Sequence, residues 1–171
     1  MVTTVREGRT LNLPATTKDT ERWLTPRWIL DALGDFDLDP CGAPGWPTAD
    51  EVFTPETHGD GLSLPWRGRV WLNPPYGSTM GSWLQRMAEH GQGTALIFAR
   101  TDTAAFHDFV WPHVDALLFL RGRLTFLLPD ATAASANSGA PSVLLAYGAN
   151  DAERLRTSGI AGHFVDQRAA A

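Results

Sequence analysis

The chain has 171 residues and a mass of 18.6 kDa, which suits a single compact domain built around one substantial core. Its composition is that of an ordinary globular protein, 43% hydrophobic and 19% charged, and no apolar run approaches the roughly 20 residues that a membrane-spanning helix needs. One cysteine excludes an internal disulfide, and five scattered histidines without CxxC or HxxxH spacing predict no metal site. Neither a membrane nor a metal ion is therefore expected as a partner.

The balance of charge argues against a protein coated in basic residues for nonspecific nucleic-acid binding, because the net charge is −5 and the pI is near 5.4. Thirteen of the 14 basic residues are arginine, with Lys18 the exception. This bias has two explanations, a GC-rich genome or a need for side chains that grip phosphate bidentately. Charge alone leaves nucleic acid open as a partner. The N-terminal sequence contains no apolar stretch typical of a signal peptide, so the predicted location is the cytoplasm.

The N-terminal part of the chain divides into an arm and the start of a domain. Residues 1–22 are polar and irregular and predict a flexible arm, which leaves 23–171 as a single domain. Thr25 and Pro26 predict the start of a helix, with Thr25 as N-cap and Pro26 at the first helical position, and Gly34 ends that helix.

The rest of the chain alternates short apolar runs with helical patterns. A strand is predicted at 36–40, and residues 41–69 are rich in Gly and Pro and predict a loop with scraps of helix. Further strands are predicted at 69–72, 94–99, 116–120, 142–147 and 159–165, helices at 79–90, 103–109 and 151–156, and an apolar run at 124–128 precedes a polar loop at 130–140. This alternation predicts an α/β fold with a sheet of five to seven strands.

Ligands of such sheets bind in the loops that follow the carboxyl ends of the strands. Three loops of this kind carry polar residues, at 39–42, 73–76 and 100–102. The middle one reads Asn-Pro-Pro-Tyr. Both prolines fix φ and donate no backbone hydrogen bond, and a proline that precedes a proline is biased toward an extended conformation. The Pro74 carbonyl is therefore expected to be rigid and to lie beside the side-chain oxygen of Asn73.

Two fixed acceptors of this kind suit a planar amino group. The exocyclic amine of adenine is a poor nucleophile because its lone pair is delocalised into the ring, and a hydrogen bond from each of its hydrogens favours a pyramidal nitrogen with a localised pair. Preorganised acceptors act as electrostatic catalysts in this way. Tyr76 offers a flat face for stacking, worth about 1–3 kcal/mol, and a base inside duplex DNA must first flip out. A rigid turn with a packed Tyr is the alternative interpretation.

The chain resembles the phage-type DNA N6-adenine methyltransferase family, whose enzymes use S-adenosylmethionine. The resemblance rests on an ordered set of segments between about residues 23 and 147: 25–26 with the following helix, 37–41, 70–77, 99–103 with 106–107, and 121–124 with Phe126. It implies an abbreviated Rossmann-like class I methyltransferase sheet with flanking helices, and duplex DNA with a flipped adenine as the partner. The sequence leaves the oligomeric state open.

The resemblance also implies residue roles. It assigns the catalytic motif that holds the target adenine to Asn73, Pro74, Pro75 and Tyr76. It assigns the cofactor site to Thr25, Pro26, Asp39, Pro40, Cys41, Gly42 and Asp60. Two departures from the family pattern stand out. The glycine-rich loop after the first strand is incomplete, and only about 30 residues separate this loop from Asn73. The sequence therefore does not place the acidic residue that binds the cofactor ribose in the family, and Glu51 is a guess.

The predicted substrate-binding residues follow later strands and are Arg100, Asp102, His107, Arg121 and Arg123. A surface histidine is the alternative interpretation of His107, and a solvated turn is the alternative for the last two arginines. We expect Phe106 and Phe126 to lie in the core and Cys41 to be a small packed residue.

Other functions remain open on the sequence alone. N4 of cytosine, an RNA base and a glutamine amide all present a planar amine that the Asn-Pro-Pro-Tyr motif suits. A catalytically inactive DNA-binding accessory is a candidate from a different class. A hydrolase with Asp37 and Asp39 as paired carboxylates is another, since residues two apart on a strand share a face. For a methyltransferase of this size, we expect sequence preference to come from loops on the core, at 101–140, which predicts weak or short-site specificity.

Overall fold

The computed structural model describes residues 23–134 and 138–168, so the predicted N-terminal arm, residues 1–22, lies outside the described residues. In chain order the elements are α1 (Arg27–Leu33), β1 (Leu38–Asp39), β2 (Glu51–Val52), α2 (Pro55–His58), β3 (Val70–Leu72), α3 (Met80–His90), β4 (Gly93–Phe98), α4 (Ala104–Phe109), β5 (Ala116–Leu120), β6 (Ser142–Tyr147), α5 (Ala149–Thr157) and β7 (Gly162–Asp166). Among the described residues, no helix combines the length and the apolar character that crossing a membrane requires.

One seven-stranded sheet organises the described residues, with the strand order β2-β1-β3-β4-β6-β5-β7. The first four strands in this order are parallel, β6 is antiparallel to β4 and β5, and β7 is antiparallel to β5. β1 lies between β2 and β3, so the chain leaves β1 first to one side and then to the other. This reversal makes the crevice beyond the ends of β1 and β3 a topological switch point, where α/β sheets bind their ligands.

Helices cover both faces of the sheet. Val70 and Leu72 belong to the core cluster that includes Met87 of α3, and Trp71 belongs to the cluster that includes Ile29 of α1. Successive strand residues point to opposite faces, so a strand buried on both faces reads as an unbroken apolar run. This confirms the predicted α/β class and the Rossmann-like arrangement, and the two-residue β2 and the four-residue α2 are the elements between β1 and β3.

The structure corrects the prediction for the start of α1. The helix begins at Arg27, Pro26 occupies the N-cap position, and no side chain caps the helix. The Thr25 hydroxyl instead accepts a hydrogen bond from the side chain of Asn73. The Thr25 hydroxyl oxygen, which was expected to cap α1, therefore takes part in a tertiary hydrogen bond instead.

The structure adds detail to the sequence analysis at two further places. β2 lies inside the predicted loop at 41–69 and is too short to show strand alternation in the sequence. The apolar run at 124–128 joins no strand of the sheet, and its Leu127 makes isolated bridges to Leu24 and Ala133. The run is apolar although it forms no strand of the sheet, because Leu124 and Phe126 pack into the core.

Candidate active site

A cleft of about 430 Å³ opens beyond the carboxyl ends of β1 and β3. The loops after these two strands form its floor, as the switch-point rule predicts. The predicted residues that line it are Thr25, Asp39, Pro40, Cys41, Gly42, Asp60, Asn73, Pro74, Pro75 and Tyr76. Pro26 is buried but does not line the cleft.

The side chain of Asn73 is held by two acceptors from the segment before α1. Its Nδ2 donates to the Trp23 carbonyl at 3.0 Å and to Thr25 Oγ1 at 3.3 Å. Only the NH2 end of an amide donates, so these two bonds fix the orientation of the side-chain amide. Asn73 Oδ1 is buried and has no hydrogen-bond partner among the described residues. The site thus presents a fixed, unpaired acceptor.

The loop after β1 carries a buried carboxylate. Asp39 is 2% exposed, and it accepts hydrogen bonds from the Cys41 backbone N–H at 3.0 Å and from the Thr48 hydroxyl. Burial raises the pKa of Asp39 to about 6, and the two hydrogen bonds oppose that rise. Near neutral pH this carboxylate is ionised and faces a cleft that holds no other buried charge among the described lining residues.

Cys41 connects this loop to the one after β3. Its Sγ donates to the Asn73 carbonyl at 3.4 Å. Burial, followed by the negative charge of Asp39, raises the pKa of the thiol well above its usual range. A protonated thiol in this position is a weak nucleophile, and it packs in the way expected of a small buried residue.

Two glycines of the cleft are required by close backbone approach. A Cβ on Gly61 would lie 1.9 Å from the Pro40 carbonyl oxygen, and a Cβ on Gly42 would lie 2.3 Å from Cγ1 of Val52. The segment with Asp60 and Gly61 therefore presses against the loop after β1. Asp60 itself is exposed, and its Oδ1 accepts from the Leu62 N–H at 3.0 Å.

The Tyr76 ring lies in an aromatic group at the far end of the cleft. It stacks on Phe98, with ring centroids 4.0 Å apart and planes 15° apart, and it meets Phe126 edge to face at 6.4 Å. Burial raises the pKa of the Tyr76 hydroxyl, which is neutral and has no hydrogen-bond partner in the described part of the chain. Because Phe98 covers one face of the ring, at most one face is free for a base. Phe126 and Phe106 are buried, as expected of core residues.

The five predicted substrate-binding residues do not line the cleft. Arg100 lines a neighbouring cavity of about 680 Å³, which shares Tyr76 with the cleft. The other four, Asp102, His107, Arg121 and Arg123, are exposed. β4 and β5 run in the same direction as β3, so the turns after them lie at the same edge of the sheet as the cleft.

Two acidic residues considered in the sequence analysis, Glu51 and Asp37, do not line the cleft. Glu51 forms an ion pair with Arg67 at 2.7 Å and does not line the cleft, so it is no ribose ligand in this arrangement. Asp37 accepts from the Arg69 N–H at 2.6 Å and lines a different cavity from Asp39. The paired-carboxylate hydrolase has no site, because β1 is too short to hold both residues on one strand face.

Several cleft residues escaped the sequence prediction. Four of the seven tryptophans, all of which lie in the described part of the chain, line the cleft: Trp23, Trp46, Trp71 and Trp83. Trp46 Nε1 donates to the Thr25 carbonyl at 3.1 Å. The high tryptophan content was a signal, but the sequence did not show which rings converge. The described residues hold no cluster of three or more potential metal ligands.

The strand order, the switch-point cleft and the Asn-Pro-Pro-Tyr loop together define a Rossmann-like methyltransferase domain of the α/β class. The sequence model of the family described as DNA N-6-adenine-methyltransferase (Dam) matches residues 12–162, and the chain belongs to this family. This match confirms the resemblance given by the sequence motifs. A comparison with curated proteins finds no match, and a comparison with solved structures finds none.

Proposed function

We propose that this protein is an S-adenosylmethionine-dependent DNA methyltransferase that transfers a methyl group to N6 of adenine in duplex DNA. The observation that carries the proposal is the unpaired, buried Oδ1 of Asn73, a residue that lines the cleft together with Pro74. Buried polar groups in folded proteins are almost always hydrogen-bonded, so an orphaned acceptor in a cleft indicates a ligand with a matching donor. Family membership indicates that this donor is the amine of adenine.

The residues perform the reaction by holding the amine. Asn73 Oδ1 accepts one N6 hydrogen and the Pro74 carbonyl accepts the other, which localises the nitrogen lone pair for attack on the methyl carbon. When bound, the cofactor would supply the methyl group from its sulfonium: the N–C bond would form as the carbon–sulfur bond breaks, the thioether would leave with the sulfur electron pair, and the amine proton would pass to water. The acceptors are fixed before the reaction begins, so little reorganisation opposes it. Cys41, as a thiol, takes no covalent part.

The other end of the cleft fits the cofactor, which supplies a methyl group on a positively charged sulfonium. Asp39 is a buried carboxylate aimed into a cleft without a buried cation among its described lining residues, and it suits the cofactor's ammonium group. Gly42 and Gly61 let the segments that line this end of the cleft pack closely, because a Cβ on Gly42 would collide with Val52 and a Cβ on Gly61 with the Pro40 carbonyl. Asp60 is proposed to contact the adenine amine of the cofactor, with Thr25 and Pro40 bordering its methionine end.

DNA is proposed to approach the same edge of the sheet. Arg100, Arg121 and Arg123 follow β4 and β5 there, and they are proposed to contact phosphates, with Asp102 and His107 nearby on the segment around α4. An acidic protein needs only a local basic edge for this purpose. We expect short or weakly specific recognition sites, since few loops are available for reading base edges.

The proposal is tested by transfer of labelled methyl from S-adenosylmethionine to mixed-sequence DNA, followed by nuclease digestion and mass spectrometry. The expected product is N6-methyladenine. Asn73→Ala should lower kcat about 100-fold or more while cofactor affinity changes little, since the lost interaction is made to the reacting amine. Asn150→Ala, an exposed asparagine on α5, is the matched control and should retain wild-type kinetics.

Other products would identify the alternatives. N4-methylcytosine, methylated RNA or methylglutamine in parallel reactions would reassign the substrate. Normal transfer by Asn73→Ala would show that Asn73 does not hold the amine. Absence of a thermal shift with millimolar S-adenosylmethionine would favour a catalytically inactive DNA-binding accessory.

A further inference from the structure

Trp23 is a large aromatic residue that remains partly solvent-exposed inside the cleft. It is 37% exposed, and it lines the same cleft as Asn73 and Tyr76. Trp28 is the other exposed large hydrophobic residue among the described residues, at 51%, and it does not line the cleft. Solvent exposure of an aromatic ring at a ligand-binding edge is unfavourable without a ligand, because apolar area stays in water.

The backbone around Trp23 fixes the ring relative to the catalytic amide. The Trp23 carbonyl accepts from Asn73 Nδ2 at 3.0 Å. The next residue, Leu24, exchanges two backbone hydrogen bonds with Leu127, at 2.9 and 3.0 Å. Trp23 is therefore held at both its own carbonyl and its neighbour, so the position of the ring is coupled to that of Asn73 Oδ1.

Trp23 and Tyr76 are arranged around a common buried ring. Phe126 lies 6.3 Å from the Trp23 ring and 6.4 Å from the Tyr76 ring, measured between centroids. Within the described part of the chain no ring contact joins Trp23 to Tyr76, and both residues line the cleft. Tyr76 already has one face covered by Phe98. The free side of Tyr76 and the exposed side of Trp23 are thus two aromatic surfaces of one cleft.

We propose that Trp23 is the second stacking wall for the target base, so that Trp23 and Tyr76 contact the flipped adenine while Asn73 accepts from its amine. The inference rests on the proposed function. A base that leaves the duplex loses the stacking of its neighbours, and a single aromatic face replaces only part of that loss. Stacking on one aromatic ring changes affinity about 5- to 150-fold, and it does so with little dependence on sequence. Trp23 therefore stabilises the extruded base without selecting the site.

The test compares Trp23→Ala, Trp23→Phe and the matched control Trp28→Ala. Trp23→Ala should raise KM for DNA about 5- to 150-fold, Trp23→Phe should recover most of this loss, and Trp28→Ala should stay within about twofold of wild type. Cofactor affinity, measured by calorimetry, should be unchanged in all three. Thermal denaturation confirms that each variant is folded.

A spectroscopic measurement separates stacking from a general structural effect. 2-Aminopurine replaces the target adenine opposite an abasic site, so that the base enters the cleft without breaking a pair. Its emission should be quenched by wild type and by Trp23→Phe, and it should be several-fold brighter with Trp23→Ala. Equal quenching and equal KM for wild type and Trp23→Ala would overturn the inference, and so would a loss of cofactor affinity matching the rise in KM. A wild-type protein that methylates no DNA would instead contradict the proposed function.

Discussion

The buried carboxylate of Asp39 predicts that one substitution, Asp39→Asn, will stabilise the fold and weaken cofactor binding. Asp39→Asn retains the shape of the side chain. Its oxygen still accepts from the Cys41 N–H, and its new NH2 group donates to the Thr48 hydroxyl in place of the present acceptor. What disappears is the negative charge, whose burial raises the pKa of the native carboxyl from 3.8 to about 6.

The sign of the stability effect follows from this raised pKa. Between about pH 4 and pH 6 the folded protein holds a proton on Asp39 that the unfolded chain has already lost, so the free energy of unfolding falls as the pH rises. The contribution is fully present below about pH 4 and is lost once the pH passes about 6. A shift of roughly two pKa units corresponds to about 3 kcal/mol. The asparagine side chain does not titrate, so the free energy of unfolding of Asp39→Asn lacks this decrease. Relative to wild type, the variant should therefore gain about 3 kcal/mol in free energy of unfolding between about pH 4 and pH 6.

The assay is urea denaturation of both proteins at several pH values from about 3 to 8. The difference in free energy of unfolding should be constant below about pH 4, change by about 3 kcal/mol through the window, and become constant again. Asp31→Asn removes an exposed carboxylate of α1 and controls for the loss of one negative charge. A pH-independent difference between Asp39→Asn and wild type would refute the reasoning.

The same variant tests the proposed contact with the cofactor. Loss of a charge-assisted hydrogen bond should weaken S-adenosylmethionine binding by about 10- to 100-fold at pH 8. Wild-type affinity should itself fall below about pH 6, because protonation of Asp39 removes the charge. An undiminished affinity of Asp39→Asn in calorimetry would place the ammonium group elsewhere.

Two further substitutions test how the cleft is held together. Thr25→Val removes the hydroxyl that accepts from Asn73 Nδ2 and should lower kcat about 2- to 10-fold with little change in KM for the cofactor, while Thr25→Ser should restore it; equal kcat for both variants would contradict a role in orienting the amide. Gly61→Ala places a Cβ 1.9 Å from the Pro40 carbonyl oxygen and should destabilise the fold by about 1–3 kcal/mol and weaken cofactor binding, measured by thermal denaturation and calorimetry. Gly139→Ala, where a Cβ meets nothing within 4 Å, is the control for Gly61→Ala and should be neutral.

The sequence predicted the location of the site because local patterns determine it. An apolar run ending at Leu72 predicts a buried strand, and the loop after a parallel strand belongs to the ligand edge. The same reasoning placed Asp39 at that edge. β2 was not predicted because a strand of two residues shows no alternation in the sequence. Glu51, which lies in β2, forms an ion pair with Arg67.

The details that give the site its chemistry depend on contacts between distant segments. Asn73 is oriented by Trp23 and Thr25, which are about 50 positions away, and the negative charge of Asp39 is stabilised in part by a hydrogen bond from Thr48. No helical or strand period encodes such meetings. Thr25 shows the difficulty well: its sequence context is that of a helix cap, but in the fold its hydroxyl accepts a hydrogen bond from the side-chain amide of Asn73 instead.

The positions of the buried polar atoms without hydrogen-bond partners indicate that the cleft binds ligands, which would supply the missing partners. Six buried side-chain polar atoms of the described residues lack hydrogen-bond partners, and three of them belong to residues that line this cleft: Trp71, Asn73 and Tyr76. Each such atom opposes folding by roughly 1–3 kcal/mol. A domain of this size has only about 5–15 kcal/mol of net stability. The combined cost of the three unpaired atoms in the cleft is therefore large compared with the net free energy of unfolding. The buried charge of Asp39 adds to it at neutral pH. Partners that donate to Asn73 and bind Asp39 would relieve this burden, which is why stability and affinity are expected to change in opposite directions in Asp39→Asn.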